Sequence, residues 1–192
     1  IKSSGNSLEV PTECPICGGK VERQGADLYC TNPLCRVKME AKCTAVYWPV
    51  AIKGIKDNWV RKLMEQGKIK MPSDVLQVTA QDLVNAGGFS IQRAEKVATE
   101  LTQKWKELVS NTMIEHFLWM LPIPTIAGKA YSTWSSKFST WDELESWFKE
   151  WSIDRHRQLI EWLGNAKGNK AYDYITENLD GIISLVQSLR QL

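Results

Sequence analysis

The chain has 192 residues, 43% hydrophobic and 24% charged, with a formal net charge of +2. That length suits one or two small domains with a real core. The composition excludes two classes: no apolar run approaches the roughly 20 residues of a membrane span, and a charge this small cannot hold nucleic acid by bulk attraction. Residues 1–45 carry 6 basic and 5 acidic side chains, 46–110 carry 10 and 7, and 111–192 carry 8 and 10, so only the middle is mildly basic. Ile1–Ser7 has no apolar core of a secretory signal, which makes a cytoplasmic setting the expectation. A first residue of Ile rather than Met is expected of a processed or excised piece.

The first elements are written in cysteine. All five lie between Cys14 and Cys43, and four of them form Cys14-x2-Cys17 and Cys30-x4-Cys35. A C-x2-C turn puts two thiolates on one knuckle, where Gly18 and Gly19 permit the sharp backbone path. Between the knuckles, Lys20–Arg23 reads as an outgoing strand, Gln24–Asp27 as a turn and Leu28–Cys30 as the return. Four sulfurs so placed suit tetrahedral zinc at about 2.3 Å. The alternatives are a pair of disulfides or four unrelated buried thiols; the lack of a secretory signal and the odd fifth cysteine disfavour disulfides. A closed four-thiolate site has no open coordination position, so this zinc is expected to be structural. A ribbon this small depends on its metal to fold. Cys43 lies outside the pattern and reads as a packed thiol.

From residue 46 onward the pattern is helical. Thr79-x-x-Asp82, Thr112-x-x-Glu115 and Thr140-x-x-Glu143 resemble capping boxes. Apolar spacing predicts helices near Asp57–Gln66, Gln81–Ala86, Ile91–Val109, Met113–Leu121, Gly128–Lys137, Trp141–Trp151, Arg155–Leu163 and Ala171–Leu189, with Pro122 and Pro124 ending the fourth. No alternating strand pattern survives outside the ribbon. Trp141, Trp147 and Trp151, at helical spacing, read as core rather than as platforms for bases. The fold class is therefore mainly α: a small four-cysteine ribbon with a short β-hairpin, followed by a tandem helix-hairpin-helix domain.

That last term rests on a unit that recurs in the helical part. A helix ends, a tight turn holds glycine and one apolar residue, and another helix starts. The instances are Ile52-Lys53-Gly54-Ile55-Lys56, then Gly87-Gly88-Phe89-Ser90, then Ile123-Pro124-Thr125-Ile126-Ala127-Gly128; a fourth, Trp151-Ser152-Ile153-Asp154, is worn. In such a hairpin the buried apolar residue pins the turn, and amides of the next helix face a DNA phosphate. Such contacts read the backbone and not the bases. Candidate DNA-binding residues are Lys53, Gly54, Ile55 and Lys56; Gly88, Phe89, Ser90 and Arg93; and Thr125, Ala127, Gly128 and Lys129. One such turn is an ordinary αα-hairpin; three in series behind a zinc ribbon point further.

A four-cysteine finger followed by tandem hairpins resembles the C-terminal region of NAD-dependent DNA ligases. Pro11-Thr12-Glu13-Cys14-Pro15-Ile16-Cys17-Gly18-Gly19 and Cys30-Thr31-Asn32-Pro33-Leu34-Cys35 are similar to that family's finger, and Leu118 to Ile126 is similar to its third hairpin. The resemblance covers roughly residues 8–163. It implies a linker from an OB-type domain over 1–13, the zinc finger over 14–45, the hairpin domain over 46–163 and a helical extension over 164–192. The family's hairpins normally carry a second glycine after the apolar residue, where this chain has Lys56, Ser90 and Ala127. Its terminal BRCT domain does not appear.

The resemblance implies sequence-independent grip on nicked double-stranded DNA. The adenylation and OB parts, which would use NAD, would lie in the same chain or in a second polypeptide, as in a split viral ligase. Family members seal through a lysine in K-x-D-G. Here Asn178-Leu179-Asp180-Gly181 has asparagine in that place, and an amide cannot serve as the nucleophile. No catalytic residue is assigned, and His116 and His156 read as packed or surface histidines. Two other readings stand beside this one: a free-standing DNA-binding module of a repair, recombination or topoisomerase system, and a helical scaffold whose zinc orders a protein-docking surface.

Overall fold

Residues 10–32, 34–111, 113–123 and 126–192 are described by the computed structural model. They divide into two compact units, one ending at Met39 and the other Glu40–Leu192. In the first, strands β1 (Val21–Gln24) and β2 (Asp27–Cys30) pair antiparallel, with Val21 opposite Cys30. The connection is tighter than the sequence pattern predicts, because Gly25 at φ +66° lets two residues turn the chain. Helix α1 (Arg36–Tyr47) begins in this unit and ends in the second. It lies ahead of residue 46, where the predicted helices begin; its first half alternates polar and apolar residues, none of them buried, and so gives no helical apolar stripe to read.

The second unit, among the described residues, is helical throughout. A 3-10 turn at Trp48–Val50 leads to α2 (Asn58–Glu65), and a second one at Pro72–Gln77 to α3 (Ala80–Ala86). Then come α4 (Ile91–Ser110), α5 (Ile114–Trp119), α6 (Lys129–Ser135), α7 (Trp141–Lys149), α8 (Ile153–Leu163) and α9 (Asn165–Arg190). Helix α4 shows why periodicity succeeds: Ala94, Val97, Leu101, Trp105 and Leu108 are its buried residues, spaced along one face. Two of the three expected caps lie in the described residues. Thr79 Oγ1 accepts from the Asp82 amide at 3.3 Å while Asp82 accepts from the Thr79 amide at 2.8 Å. Thr140 accepts from the Glu143 amide at 3.2 Å, but Glu143 reaches back one residue further, to the Ser139 amide. Thr112 lies outside the described residues.

Aromatic rings fill much of the interior. Trp59, Trp105 and Trp134 are fully buried, and Trp147 meets Trp134, Phe138, Phe148, Trp151 and Trp162 at ring separations between 5.2 and 6.1 Å. Trp141 and Trp147 are buried as expected, whereas Trp151 is only half-buried. Trp141 donates to the Val109 carbonyl, Trp147 to Gln158 and Trp151 to Thr176, whereas the indole N–H groups of Trp59, Trp105 and Trp134 are buried without a hydrogen-bond partner among the described residues.

Helix α9 runs across this interior, burying Gly168, Ala171, Ile175, Ile182, Leu185, Val186 and Leu189 and packing on α8, α7, α4 and the Pro72–Gln77 turn. At Gly168 the approach is backbone to backbone: a Cβ there would stand 2.6 Å from Ile160 Cα. Further along α9, the buried Glu145 of α7 receives Lys149, Gln187 and Arg190, and Arg190 also pairs with Asp142. The Lys149 ammonium foremost, then Gln187 and Arg190, hold the Glu145 carboxyl down at about 2.

Two outcomes follow from this packing. Gly168→Ala should cost about 2 kcal/mol in urea unfolding, since overpacking outweighs the roughly 1 kcal/mol that alanine gains in helix propensity. Gly181→Ala, where nothing stands within 4 Å of the new Cβ, should stabilise by about 0.5–1 kcal/mol; equal effects at both sites would contradict the close helix contact. Glu145 has a folded pKa below its unfolded value, so its contribution is complete above about 4.5 and is lost as pH falls toward 2. Thermal melting against pH should therefore show a shallower acid decline in Glu145→Gln, from a lower stability at neutral pH.

Candidate metal centre and nucleic-acid interface

The four predicted cysteines converge. Cys14, Cys17, Cys30 and Cys35 bring sulfurs that all lie within 4.8 Å of one another, and Cys17 Sγ to Cys30 Sγ is 3.5 Å. A tetrahedron with about 2.3 Å zinc–sulfur bonds has edges of about 3.8 Å, so the donor set fits zinc in number, type and spacing. The first knuckle is closed by Cys14 N–H to Gly19 O at 2.7 Å and Gly18 N–H to Cys14 O at 2.8 Å, with Gly18 at φ +67°. Gly19 is needed for room: a Cβ would meet Asn32 Cβ at 2.9 Å and Cys17 Sγ at 3.2 Å. In the second knuckle Asn32 Oδ1 accepts from the Leu34 amide and its carbonyl from the Cys35 amide. Pro33 lies outside the described residues.

Electrostatics prepares the thiols unequally. The Gly19 amide, aimed at Cys17 Sγ, lowers that thiol to about 7, whereas desolvation raises Cys30 to about 11. The amide favours a thiolate; the metal would complete the site for the other sulfurs. Cys43 is fully buried and pushed up to about 12 by desolvation, as suits a packed thiol. The purified chain should hold about one zinc per molecule by elemental analysis, and Cys14→Ser or Cys30→Ser should lose it together with the ribbon's amide protection. Full metal content in either variant would refute the site.

The hairpin residues are placed as follows. In the first, Ile55 N–H donates to Ile52 O at 3.0 Å across Gly54, whose φ of +80° permits the turn. The buried Tyr47 hydroxyl accepts from Ile52 N–H at 3.1 Å and donates to Ile55 O at 3.0 Å. Lys53, Gly54 and Lys56 are exposed; Ile52 is the buried pin and Ile55 only half-buried, which shifts the expected anchor by three residues. In the second, Gly87 and Gly88 have φ of +80° and +88°, Phe89 is half-buried, and Ser90 Oγ accepts from the Arg93 amide at 3.4 Å. The exposed Arg93 guanidinium lies 5.7 Å from the Phe89 ring centre.

In the third hairpin Ile123 and Ile126 are buried, and Ile126 N–H donates to Ile123 O at 3.3 Å, the same bond as in the first. Tyr131 repeats the tyrosine clamp, its hydroxyl donating to Leu121 O at 2.8 Å. Ala127, Gly128 and Lys129 are exposed, with Gly128 at φ +49°; Thr125 lies outside the described residues. The worn fourth instance has no pin at all, since Ile153 is 56% exposed. The three turns face outward on their own helices, each with a cation nearby. Sequence reasoning passed over Lys62, whose Nζ stands 3.7 Å from the Cβ position of Gly87; no local pattern joins residues brought together by helix docking. His156 stacks on Tyr172 at 4.3 Å and meets Asn169 Oδ1 at 2.6 Å, the packed placement expected of it.

No helix among the described residues is long and apolar enough to cross a membrane. No family model matches the chain. Among curated proteins it is similar to a DNA ligase of Clostridium novyi, 24% identical over a 187-position alignment that covers 93% of this chain and 26% of the relative. A DNA ligase of Pseudothermotoga lettingae is 28% identical over a 201-position alignment, gaps included, that covers 96% of this chain and 29% of the relative. One of Haloferax volcanii is 29% identical over 128 residues, 65% and 18%. The chain thus spans less than a third of the length of these relatives. Over most of its own length it is similar to DNA ligases, and it is a mainly α chain with a small two-stranded ribbon and a four-cysteine cluster able to hold zinc.

Proposed function

We propose that this chain is the DNA-gripping part of an NAD-dependent DNA ligase and holds nicked duplex while a separate adenylation part, in the same polypeptide or another, seals the nick. One observation carries the reading: three outward glycine turns, each entering a helix and each accompanied by exposed Lys or Arg, occur in a chain similar to DNA ligases. The first-turn amides of a helix lack carbonyl partners and suit a phosphate oxygen. Lys53, Lys56, Arg93 and Lys129 add charge where the amides already point. This accounts for a near-neutral protein binding a polyanion, because contacts are focused rather than spread over a basic surface. The zinc is structural: four thiolates leave it no open position for chemistry. NAD would be used elsewhere, since the chain offers no lysine in K-x-D-G.

The test is a titration of nicked and intact duplex against the full chain at several salt concentrations, beside Gly88→Val. Wild type should bind both duplexes without base preference. Valine at a φ of +88° should weaken binding about tenfold or more by distorting the turn, while melting falls only modestly because nothing packs on that side. Absence of duplex binding by the wild-type chain at low salt would favour the protein-docking scaffold.

A further inference from the structure

The second hairpin turn has a neighbour that its own two helices do not supply. Lys62 belongs to α2 and is half-buried, with its Nζ 3.7 Å from where a Cβ of Gly87 would stand. Beside it Gly88 is open, with nothing within 4 Å of its Cβ position. Other cations nearby are paired: Arg61 with Glu40 at 2.6 Å and Lys68 with Asp82 at 3.3 Å. The Lys62 ammonium has no such partner among the described residues.

The side chain is held where it is by helix docking. Leu63 and Leu83 are buried where α2 meets α3, and Gln66, one turn beyond Lys62, donates Nε2 to the Asn85 carbonyl at 2.9 Å. Asn85 is two residues before Gly87, so this bond ties α2 to the chain just ahead of the turn. The Lys62 side chain is half-buried and its ammonium has no counter-charge among the described residues, so an arriving anion would be its first ionic partner. Its stem is already ordered, so a contact made there loses less entropy than one made by a free surface lysine. Ser90, meanwhile, occupies the Arg93 amide with its own hydroxyl, which leaves the turn one donor short for a phosphate.

We propose that Lys62 and the Gly87–Ser90 turn form one composite site for a backbone phosphate of nucleic acid, with Arg93, over the Phe89 ring, as a second cation. The proposal rests on the DNA-binding reading above and deepens it: the helix leaving the first hairpin supplies the cation of the second. Binding at the two hairpins is then coupled through α2, and the missing donor is replaced by charge.

The test compares wild type, Lys62→Gln, Lys62→Arg and the remote Lys170→Gln on nicked duplex between about 50 and 200 mM salt, with thermal melting of each. Lys62→Gln should weaken binding several-fold and reduce the slope of log affinity against log salt by about 0.9, the value for one phosphate contact. Lys62→Arg should keep the slope, and Lys170→Gln should change neither quantity. If wild type binds and Gly88→Val weakens it, yet Lys62→Gln leaves the slope intact, the composite site is wrong while the DNA-binding reading stands. A loss of affinity in Lys62→Gln that comes with a lowered melting temperature and an unchanged slope also overturns it, as a packing effect. No binding by wild type sinks both.

Discussion

Helix α9 needs cover along 26 residues, and the way it finds that cover sets the rest of the helical unit. Its buried stripe is apolar and opens on Gly168, where the absence of a side chain allows backbone contact with α8; at the far end, outside the stripe, the exposed Arg190 reaches the buried Glu145 of α7. Together these fix α9 against both α8 and α7, which carry the tryptophan cluster around Trp147. A buried charge that accepts from Lys149, Gln187 and Arg190 adds specificity of register more than net stability, since each ion gave up water to be there.

With the interior so filled, the described residues of the hairpin turns are left at the surface, tied to the core by their own hydrogen bonds. The first and third are built alike without sharing a sequence. Each has an i to i+3 amide bond between two isoleucines, and a buried tyrosine hydroxyl that ties the turn to a neighbouring carbonyl. The tyrosine is half a core residue and half a clamp: its ring is buried while its hydroxyl satisfies backbone groups that a turn would otherwise leave unpaired. Rigid turns suit recognition of a regular polymer, because little entropy is lost when each phosphate docks.

The metal site solves a different problem. A ribbon of two four-residue strands buries almost nothing; Ile16, Leu28, Tyr29 and Leu34 are all exposed. Four sulfurs on one ion would replace the core that the ribbon lacks. Gly19 is the tightest point of this arrangement, caught between Cys17 Sγ and Asn32 Cβ.

Wherever the physics was local, the sequence alone was enough. The C-x2-C and C-x4-C spacings placed four thiols at one point, because a short knuckle leaves the sulfurs no other direction. The 3.6-residue period of Ala94, Val97, Leu101, Trp105 and Leu108 placed α4, and the Thr79 and Thr140 caps marked helix starts because a hydroxyl and an amide three residues on must meet. Tertiary structure decided what depended on separate segments arriving together. Only packing made Ile52 rather than Ile55 the buried pin of the first turn, left Ile153 in solvent at the fourth, and carried Lys62 to Gly87. Glycine likewise has no pattern that tells a turn from a helix contact: Gly168 and Gly181 share α9, and only the neighbour that α8 brings to one of them distinguishes the two. Side-chain periodicity records which face is apolar; it does not record which other helix will cover that face, and at the turns that choice determines what is left exposed.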